Sequence, residues 1–247
     1  MASFWVDSDQ ILGSQLILRG DEAHHLHRVR RQGVGDVIDV IDGEGHLYSV
    51  RLVDIGRDRA VGEILSCVEE AGESSVRLVL APVLLKGQRF DWVVEKVTEV
   101  GVAAIWPVLS ERGVARAKSD GKVERWQRIV RAAVKQCGRS RCPELASAAS
   151  FAAVVEELVE TCDVVFMGAL EQERKEKLDW SGVEQPRTVG LLVGPEGGFS
   201  TQEIENARRR GVRIFAWGER VLRADTASVV LSGLLLSECA QYIRNQG

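Results

Sequence analysis

Two polar loops that contain glycine hold the residues whose types and spacing best suit chemistry. The first loop lies within LLVGPEGGFS, residues 191–200, and the second within WGERVLRADTAS, residues 217–228. Each follows an apolar, strand-like run and precedes a helix start, and such loops meet at one edge of a parallel sheet. Their glycines allow sharp turns and let a ligand approach the backbone closely. The pair predicts a ligand pocket at that edge, although two ordinary strand-to-helix turns would show a similar pattern.

The residue types in and around these loops exclude several kinds of site. The order G-P-E-G-G differs from the G-x-G-x-x-G fingerprint of dinucleotide-binding proteins, and Glu196 would stand where a pyrophosphate binds. No Gly-Lys-Ser/Thr follows, so a P-loop is excluded as well. The chain has four histidines, which are His24, His25, His27 and His46. Because all of them precede residue 47, a Ser-His-Asp or Cys-His arrangement is excluded from the C-terminal part.

Together with three further motifs, the two loops resemble the RsmE family of ribosomal RNA methyltransferases. These motifs are TEVGV, SERG and QCGR, at residues 98–102, 110–113 and 136–139. The resemblance extends from the HHLHRVRR segment to the C-terminal helix. It implies a SPOUT-class enzyme that transfers a methyl group from S-adenosylmethionine to N3 of a uridine near the decoding centre of 16S ribosomal RNA. The family commonly reads LRTET where this chain reads LRADT, so Asp225 replaces a longer glutamate.

The pattern of apolar runs predicts two domains. Short strands are predicted at residues 15–19, 37–41, 47–53 and 60–68, with one helix at 21–30, which indicates a small β-barrel. Later strands are predicted at 76–81, 102–108, 163–167, 189–193 and 212–216, alternating with helices at 89–100, 122–137, 151–160, after Ser200 and after Asp225. This alternation is typical of an α/β fold with a parallel sheet.

The resemblance implies an identity and bounds for each domain, which the periodicity of apolar residues does not indicate. It implies a PUA-like RNA-binding β-barrel at residues 1–70, a linker at 71–75, and a SPOUT methyltransferase domain at 76–247. It also implies a deep trefoil knot in that second domain, and a homodimer. Knots are almost absent from proteins, so no pattern argument would propose one.

The family motif also implies which residues bind the cofactor. Backbone groups and apolar side chains of the loops would hold S-adenosylmethionine. Carried onto this sequence, the cofactor-binding residues are Leu170, Leu192, Gly194, Pro195, Gly197, Gly198, Trp217, Gly218, Val221, Leu222 and Thr226.

Methylation at N3 requires an anionic uridine, because the neutral ring nitrogen carries a proton. A guanidinium aimed at a flanking carbonyl oxygen stabilises that anion. Arg223 and Arg220 in the second loop are the candidates, with Arg112 a third, and of these Arg223 is favoured. The structural alternative for Arg220 is an ion pair with Glu196 or Glu219. Glu196 itself either takes the proton or fixes its loop by accepting backbone N–H bonds.

The charge distribution indicates a local RNA-binding patch rather than a basic protein. The net charge is −4, but residues 112–141 hold ten Lys and Arg against only Asp120 and Glu124. The candidate RNA-binding residues are His25, Arg28, Arg31, Arg112, Arg128, Arg131 and Arg139. The alternatives are an ordinary solvated helix surface and, for some of the arginines, a dimer interface.

The remaining features limit location and cofactors. Five scattered cysteines match no zinc-ligand spacing and indicate reduced thiols, so no metal is expected. The MASFWVDSDQ start has no signal-peptide pattern, and no apolar stretch reads as a membrane span, so we expect a cytoplasmic protein without a membrane partner. Two alternative functions stay open, a non-catalytic RNA-binding protein and a nicotinamide-dependent oxidoreductase.

Overall fold

The computed structural model describes residues 3–113, 121–169 and 178–246. The chain divides into two compact units, Met1–Glu73 with Arg131–Cys142 and Ser74–Val130 with Pro143–Gly247. The first unit is therefore discontinuous in sequence, since it includes a segment that follows residue 130.

The first unit is built on a six-stranded sheet around its own apolar core. Its strands are β1 (Phe4–Trp5), β2 (Ile11–Leu12), β3 (Gln15–Arg19), β4 (Val37–Ile41), β5 (His46–Ile55) and β6 (Arg59–Glu69), in the order β1-β4-β5-β6-β3-β2. All neighbours are antiparallel except the β1–β4 pair. Alternate residues such as Leu16 and Leu18 point into the core, as expected for strands with one buried face. The four predicted strands are confirmed, two of them to the residue.

The helical segment after β3 changes type along its length. It starts as α1 (Gly20–His24) and continues as a π-helical turn over His25–Val29. Ala23 and Leu26 of this segment are fully buried. The prediction of a helix over 21–30 is therefore confirmed, although its second half is wider than an α-helix.

The second unit is an α/β structure with a parallel sheet, as predicted. Its strands are β7 (Arg77–Pro82), β8 (Ala104–Ile105), β9 (Val108–Leu109), β10 (Glu144–Leu145), β11 (Ala149–Ser150), β12 (Val164–Gly168), β13 (Thr188–Val193) and β14 (Arg213–Phe215). Six of them form one sheet in the order β10-β8-β7-β13-β12-β14, and β9 pairs with β11 separately. The helices are α2 (Gln88–Val100), α4 (Phe151–Thr161), α5 (Thr201–Arg209) and α6 (Ala224–Arg244), and α3 (Gly121–Cys137) belongs to this unit up to Val130 and to the first unit from Arg131.

One predicted strand is wrong. The apolar run at residues 102–108 forms two short strands in different sheets, β8 and β9. Pro107 lies between them. Because proline has no N–H to donate to a sheet, the run divides at this residue.

Helices α2 and α6 pack against each other beside the main sheet. Phe90, Val93 and Val97 of α2 are buried, and the helix ends at Gly101, whose φ of +106° suits glycine. Helix α6 also contacts β7 and β13. Among the described helices, α6 alone has the length and composition to cross a membrane, with a mean hydropathy of 1.2. No such stretch was expected from the sequence, and the contacts of α6 are those of a helix that covers an α/β sheet.

Candidate functional site

Three neighbouring strands of the second unit end at one cleft. Strand β12 pairs in parallel with β13 on one side and with β14 on the other, so the segments that follow all three strands meet at the same sheet edge. The cleft has an empty volume of about 680 Å³ and is open to solvent. Its lining residues are Gly168, Ala169, Val193, Gly194, Pro195, Gly198, Phe215, Ala216, Trp217, Gly218, Glu219, Arg220, Val221, Leu222, Ala227 and Leu231.

Most of the predicted cofactor residues lie in this cleft. Those in the lining are Gly194, Pro195, Gly198, Trp217, Gly218, Val221 and Leu222. Gly197 and Thr226 lie outside the lining, and Leu170 lies outside the described residues. Leu192 is also outside the lining, because it is fully buried and packs into the core, while its neighbour Val193 lines the cleft. Side chains of a strand alternate between its two faces, which explains this difference.

The first loop is a tight turn in which two glycines occupy restricted positions. Gly198 has a φ of +68°, and its N–H donates to the Pro195 carbonyl at 2.8 Å. A Cβ on Gly194 would lie 3.0 Å from the ring of Phe199. Bulk at either position would therefore alter the loop or the cleft.

The start of α5 holds this loop and a second segment in place. The predicted capping box is confirmed, since the Ser200 hydroxyl accepts the Glu203 N–H and the Glu203 carboxylate accepts the Ser200 N–H at 2.8 Å. The other carboxylate oxygen of Glu203 accepts the N–H of Glu111 at 2.9 Å. The next residue, Arg112, donates from Nη1 to the carbonyl of Gly197 at 2.8 Å. The SERG segment is thereby tied to the GPEGG loop.

Arg89 contacts both loops, and the sequence patterns did not indicate it. Its Nη2 donates to Glu196 Oε1 at 2.6 Å, and its Nε donates to Asp225 Oδ2 at 2.8 Å. These bonds hold the pKa of both carboxyl groups below their ordinary values. A carboxylate stabilised in this way is a poor proton acceptor, which favours the loop-fixing role for Glu196. Glu196 therefore pairs with Arg89 instead of Arg220.

The two candidate catalytic arginines occupy different places. Arg220 is exposed and lines the cleft. Arg223 is also exposed, but it is the N-cap residue of α6 and lies outside the lining. The cleft geometry therefore favours Arg220 for contact with a molecule bound there.

Acidic side chains from distant parts of the chain pair with several basic residues of the predicted patch. Arg125 pairs with Asp91 at 2.6 Å. Arg131 lies 4.1 Å from the Trp5 ring centroid and 3.7 Å from Asp7 Oδ1. The segment had only two acidic residues of its own, so the sequence did not reveal these partners. Arg128 is exposed on α3.

The other predicted RNA-binding residues lie in the first unit. His25 and Arg31 are exposed, and His25 packs edge-on against Phe4. The side chain of Arg28 lies outside the described part of the structure. The prediction that Arg139 binds RNA is wrong, because its side chain is only 3% exposed and donates to Glu73 at 2.7 Å. A buried, ion-paired arginine is not available for a surface phosphate contact.

Glu73 should be essential to the stability of the first unit. Its carboxylate also accepts the backbone N–H groups of Ser140 and Arg141, at 3.2 and 3.0 Å. Replacing Glu73 by glutamine removes the carboxylate charge that pairs with the buried Arg139 guanidinium, so we expect a loss of about 3–5 kcal/mol in the free energy of unfolding. Urea denaturation measures this loss. The exposed Glu69→Gln variant is the control and should change stability by less than about 0.5 kcal/mol; equal effects of both changes would contradict the prediction.

Possible metal ligands and the cysteine thiols form no further candidate site in the described part of the chain. No group of three or more His, Cys, Asp or Glu able to hold a metal ion occurs there. All five cysteines are free, and burial raises the pKa of the Cys142, Cys162 and Cys239 thiols to about 11. These three thiols therefore stay protonated at neutral pH.

Comparisons with known proteins agree with the geometry of the two units. The RNA methyltransferase domain family matches residues 72–236, and the RNA methyltransferase PUA domain family matches residues 18–65. The chain is 34% identical over 228 residues to the ribosomal RNA small subunit methyltransferase E of Synechocystis sp., covering 91% of this chain and 74% of the relative. It is 30% identical to that of Mycobacterium tuberculosis, covering 93% and 89%.

Solved structures of similar chains were determined with a cofactor bound. The ribosomal RNA small subunit methyltransferase E from Neisseria gonorrhoeae, bound to S-adenosyl methionine, has a TM-score of 0.83 and 28% identity, covering 96% of this chain and 98% of that one. A methyltransferase from Legionella pneumophila in complex with the same cofactor has a TM-score of 0.80 and 26% identity, covering 96% and 97%. The resemblance seen in the loop motifs is confirmed, and the chain belongs to the ribosomal RNA small subunit methyltransferase E family.

Proposed function

We propose that this protein uses S-adenosylmethionine to methylate N3 of a uridine in 16S ribosomal RNA near the decoding centre. The observation that carries the proposal is the cleft between the two glycine loops, in a chain whose family is established. The cleft lies at the carboxyl ends of parallel strands, where ligands of open α/β sheets commonly bind. Glycine backbone at Gly194, Gly198 and Gly218 and apolar side chains at Val193 and Leu222 suit the adenosine and methionine portions of S-adenosylmethionine.

The chain's contribution to the reaction is orientation and charge stabilisation. S-adenosylmethionine supplies an electrophilic methyl group on a sulfonium, so neither a histidine nor a metal is needed. The loops bring the uridine nitrogen into line with that group, and orientation of this kind contributes several kcal/mol. The N3 proton passes to solvent, and Arg220, which lines the cleft, stabilises the negative charge that this leaves on a carbonyl oxygen beside N3. Because N3 takes part in base pairing, the uridine must leave any pair before it reacts.

The other predicted catalytic residues take supporting roles in this proposal. Glu196 fixes the first loop through Arg89. Arg223 ends the second loop at the start of α6, where its charge lies close to Asp225. Arg112 holds the Gly197 carbonyl, so its role is also to shape the first loop.

The RNA substrate is proposed to contact both units, either as free RNA or within a 30S particle. The first unit supplies a PUA-like RNA-binding domain at residues 1–70, linked by 71–75 to the methyltransferase domain at 76–247. The exposed side chains of His25 and Arg31 are the contacts on the first unit, and Arg128 is the contact on α3. Arg131 is a weaker candidate, because Trp5 and Asp7 already engage it.

Replacing Arg128 by alanine should weaken RNA binding in a salt-dependent way. Loss of one phosphate contact lowers the slope of log K against log salt by about 0.7–0.9. Fluorescence anisotropy with a fragment of 16S ribosomal RNA at several salt concentrations measures this slope. Arg125 lies on the same helix but pairs with Asp91, so Arg125→Ala is the matched control and should lower the slope less. A slope unaltered by Arg128→Ala would assign Arg128 to solvent.

Three further properties belong to the proposal. The methyltransferase domain has the deep trefoil knot of the SPOUT class, the protein is a homodimer, and it works in the cytoplasm beside its RNA. Incomplete burial of α6 supports the dimer, since only 28% of its most apolar stretch is buried, and Trp92 of the neighbouring α2 is 42% exposed. Light scattering coupled to size exclusion tests the dimer, and a mass of 27.2 kDa would contradict it.

Two measurements test the function itself. Calorimetry with S-adenosylmethionine and with NAD should show binding of the first alone, and binding of NAD alone would favour an oxidoreductase. Mass mapping of 16S ribosomal RNA from cells with and without this protein should show one uridine that gains a methyl group at N3 only in its presence. Cofactor binding without such a change would favour a non-catalytic RNA-binding protein.

A further inference from the structure

Arg89 donates hydrogen bonds to one carboxylate of the first cleft loop and to one carboxylate that follows the second. It is the second residue of α2, and its guanidinium uses different nitrogens for Glu196 and Asp225. Glu196 belongs to the first loop, and Asp225 follows the second loop directly in the first turn of α6. None of the three residues lines the cleft. Their contacts therefore lie outside the lining of the cleft.

Arg89 lies at the start of a helix that is packed into the core, and the Asp225 carboxylate that accepts its bond has a second partner. Phe90 and Val93, next to Arg89 on α2, are almost fully buried, which fixes the start of the helix. The second oxygen of Asp225 accepts the Thr226 N–H at 2.8 Å, so both carboxylate oxygens have defined partners. The guanidinium and the Glu196 side chain are each 43% exposed, and the Asp225 side chain is 16% exposed. Ion pairs with this exposure contribute little to global stability. Their effect is therefore expected on the positions of the two loops.

The positive charge of Arg89 also offsets repulsion between the Glu196 and Asp225 carboxylates. Without Arg89, the two carboxylates would face each other across the loops, and like charges at close range repel. The charge of Asp225 already opposes ionisation of Glu196 with Arg89 in place. A lysine at position 89 keeps the positive charge, but it places one nitrogen where the planar guanidinium uses two, so it does not reproduce the geometry of both bonds.

We propose that Arg89 is a positioning residue that sets the spacing of the two loops through Glu196 and Asp225, and so prepares the cleft to bind S-adenosylmethionine. This inference rests on the proposed function. The contact does not touch the reacting atoms, and its loss therefore acts on cofactor affinity and on KM for the cofactor, with kcat at saturation nearly unchanged.

A charge-rescue series tests the proposal with the full-length protein. We expect Arg89→Gln to weaken the binding of S-adenosylmethionine about tenfold, and Arg89→Lys to restore only part of it. Adding Glu196→Gln to Arg89→Gln removes the repulsion and should regain most of the lost affinity. Arg209→Gln is the matched control, since Arg209 is an exposed arginine whose Nε donates to a carbonyl of its own helix. The Arg209→Gln variant should bind S-adenosylmethionine with the affinity of the wild type.

Two results would overturn the proposal. One is an Arg89→Gln protein that binds the cofactor within twofold of the wild type. The other is an Arg89→Gln, Glu196→Gln double variant whose loss of cofactor affinity equals the product of the losses of the two single variants. Hydrogen exchange without cofactor provides a second readout, because Arg89→Gln should speed exchange at residues 194–200 and 217–223, and unchanged exchange would also overturn the proposal. A wild-type protein that binds no cofactor would contradict the proposed function, while the exchange measurement still decides the role of Arg89.

Discussion

Replacing Gly198 by valine should abolish binding of S-adenosylmethionine. Gly198 has a φ of +68°, in the left-handed region, where an ordinary residue costs roughly 1–2 kcal/mol and a β-branched one more. Gly198 also lines the cleft, so the valine side chain would occupy ligand space. We expect the dissociation constant measured by calorimetry to rise by at least about 100-fold, which is roughly 2.7 kcal/mol.

The neighbouring glycine provides the control for this change. Gly197 lies outside the cleft lining, and a Cβ built on it meets nothing within 4 Å. Gly197→Ala should therefore bind the cofactor within a few-fold of the wild type. Wild-type affinity in Gly198→Val would mean that the cofactor binds elsewhere on the chain.

Replacing Arg220 by alanine should remove most of the turnover and leave cofactor binding almost intact. Arg220 lines the cleft and is exposed, so its guanidinium is free to reach a substrate base. Loss of one charge-stabilising donor at a reacting group typically lowers kcat by about 100- to 1,000-fold. Single-turnover methylation of 16S ribosomal RNA, with cofactor affinity measured in parallel, checks both parts of the expectation.

Arg223→Ala is the matched comparison for Arg220→Ala. Arg223 comes from the same loop but caps α6 outside the cleft, so we expect its loss to reduce turnover less. A reversed order, with Arg223→Ala inactive and Arg220→Ala active, would move the charge-stabilising role to Arg223.

The sequence predicted the parts of the site that local chain geometry determines. Glycines in a strand–loop–helix pattern identified both loops, and the Ser200–Glu203 spacing identified the start of α5. These features depend on residues a few positions apart, so one sequence is enough to detect them. The choice between Leu192 and Val193 required the pleat of β13 relative to the cleft, and the sequence does not contain that information.

Interactions between distant residues could not be predicted in the same way. Arg89 is 107 residues from Glu196 and 136 from Asp225, and no spacing rule connects them. The burial of Arg139 depends on Glu73, which is 66 residues away. Counting charges within one segment therefore overestimated how many arginines are available to RNA.

A crystal structure of this protein soaked with S-adenosylmethionine tests the two-loop cleft most directly. We expect density for the cofactor between residues 194–198 and 217–222, with its sulfonium methyl group facing the side of the cleft that Arg220 lines. Cofactor density at another place, with both loops empty, would contradict the cleft as the methyl-donor site.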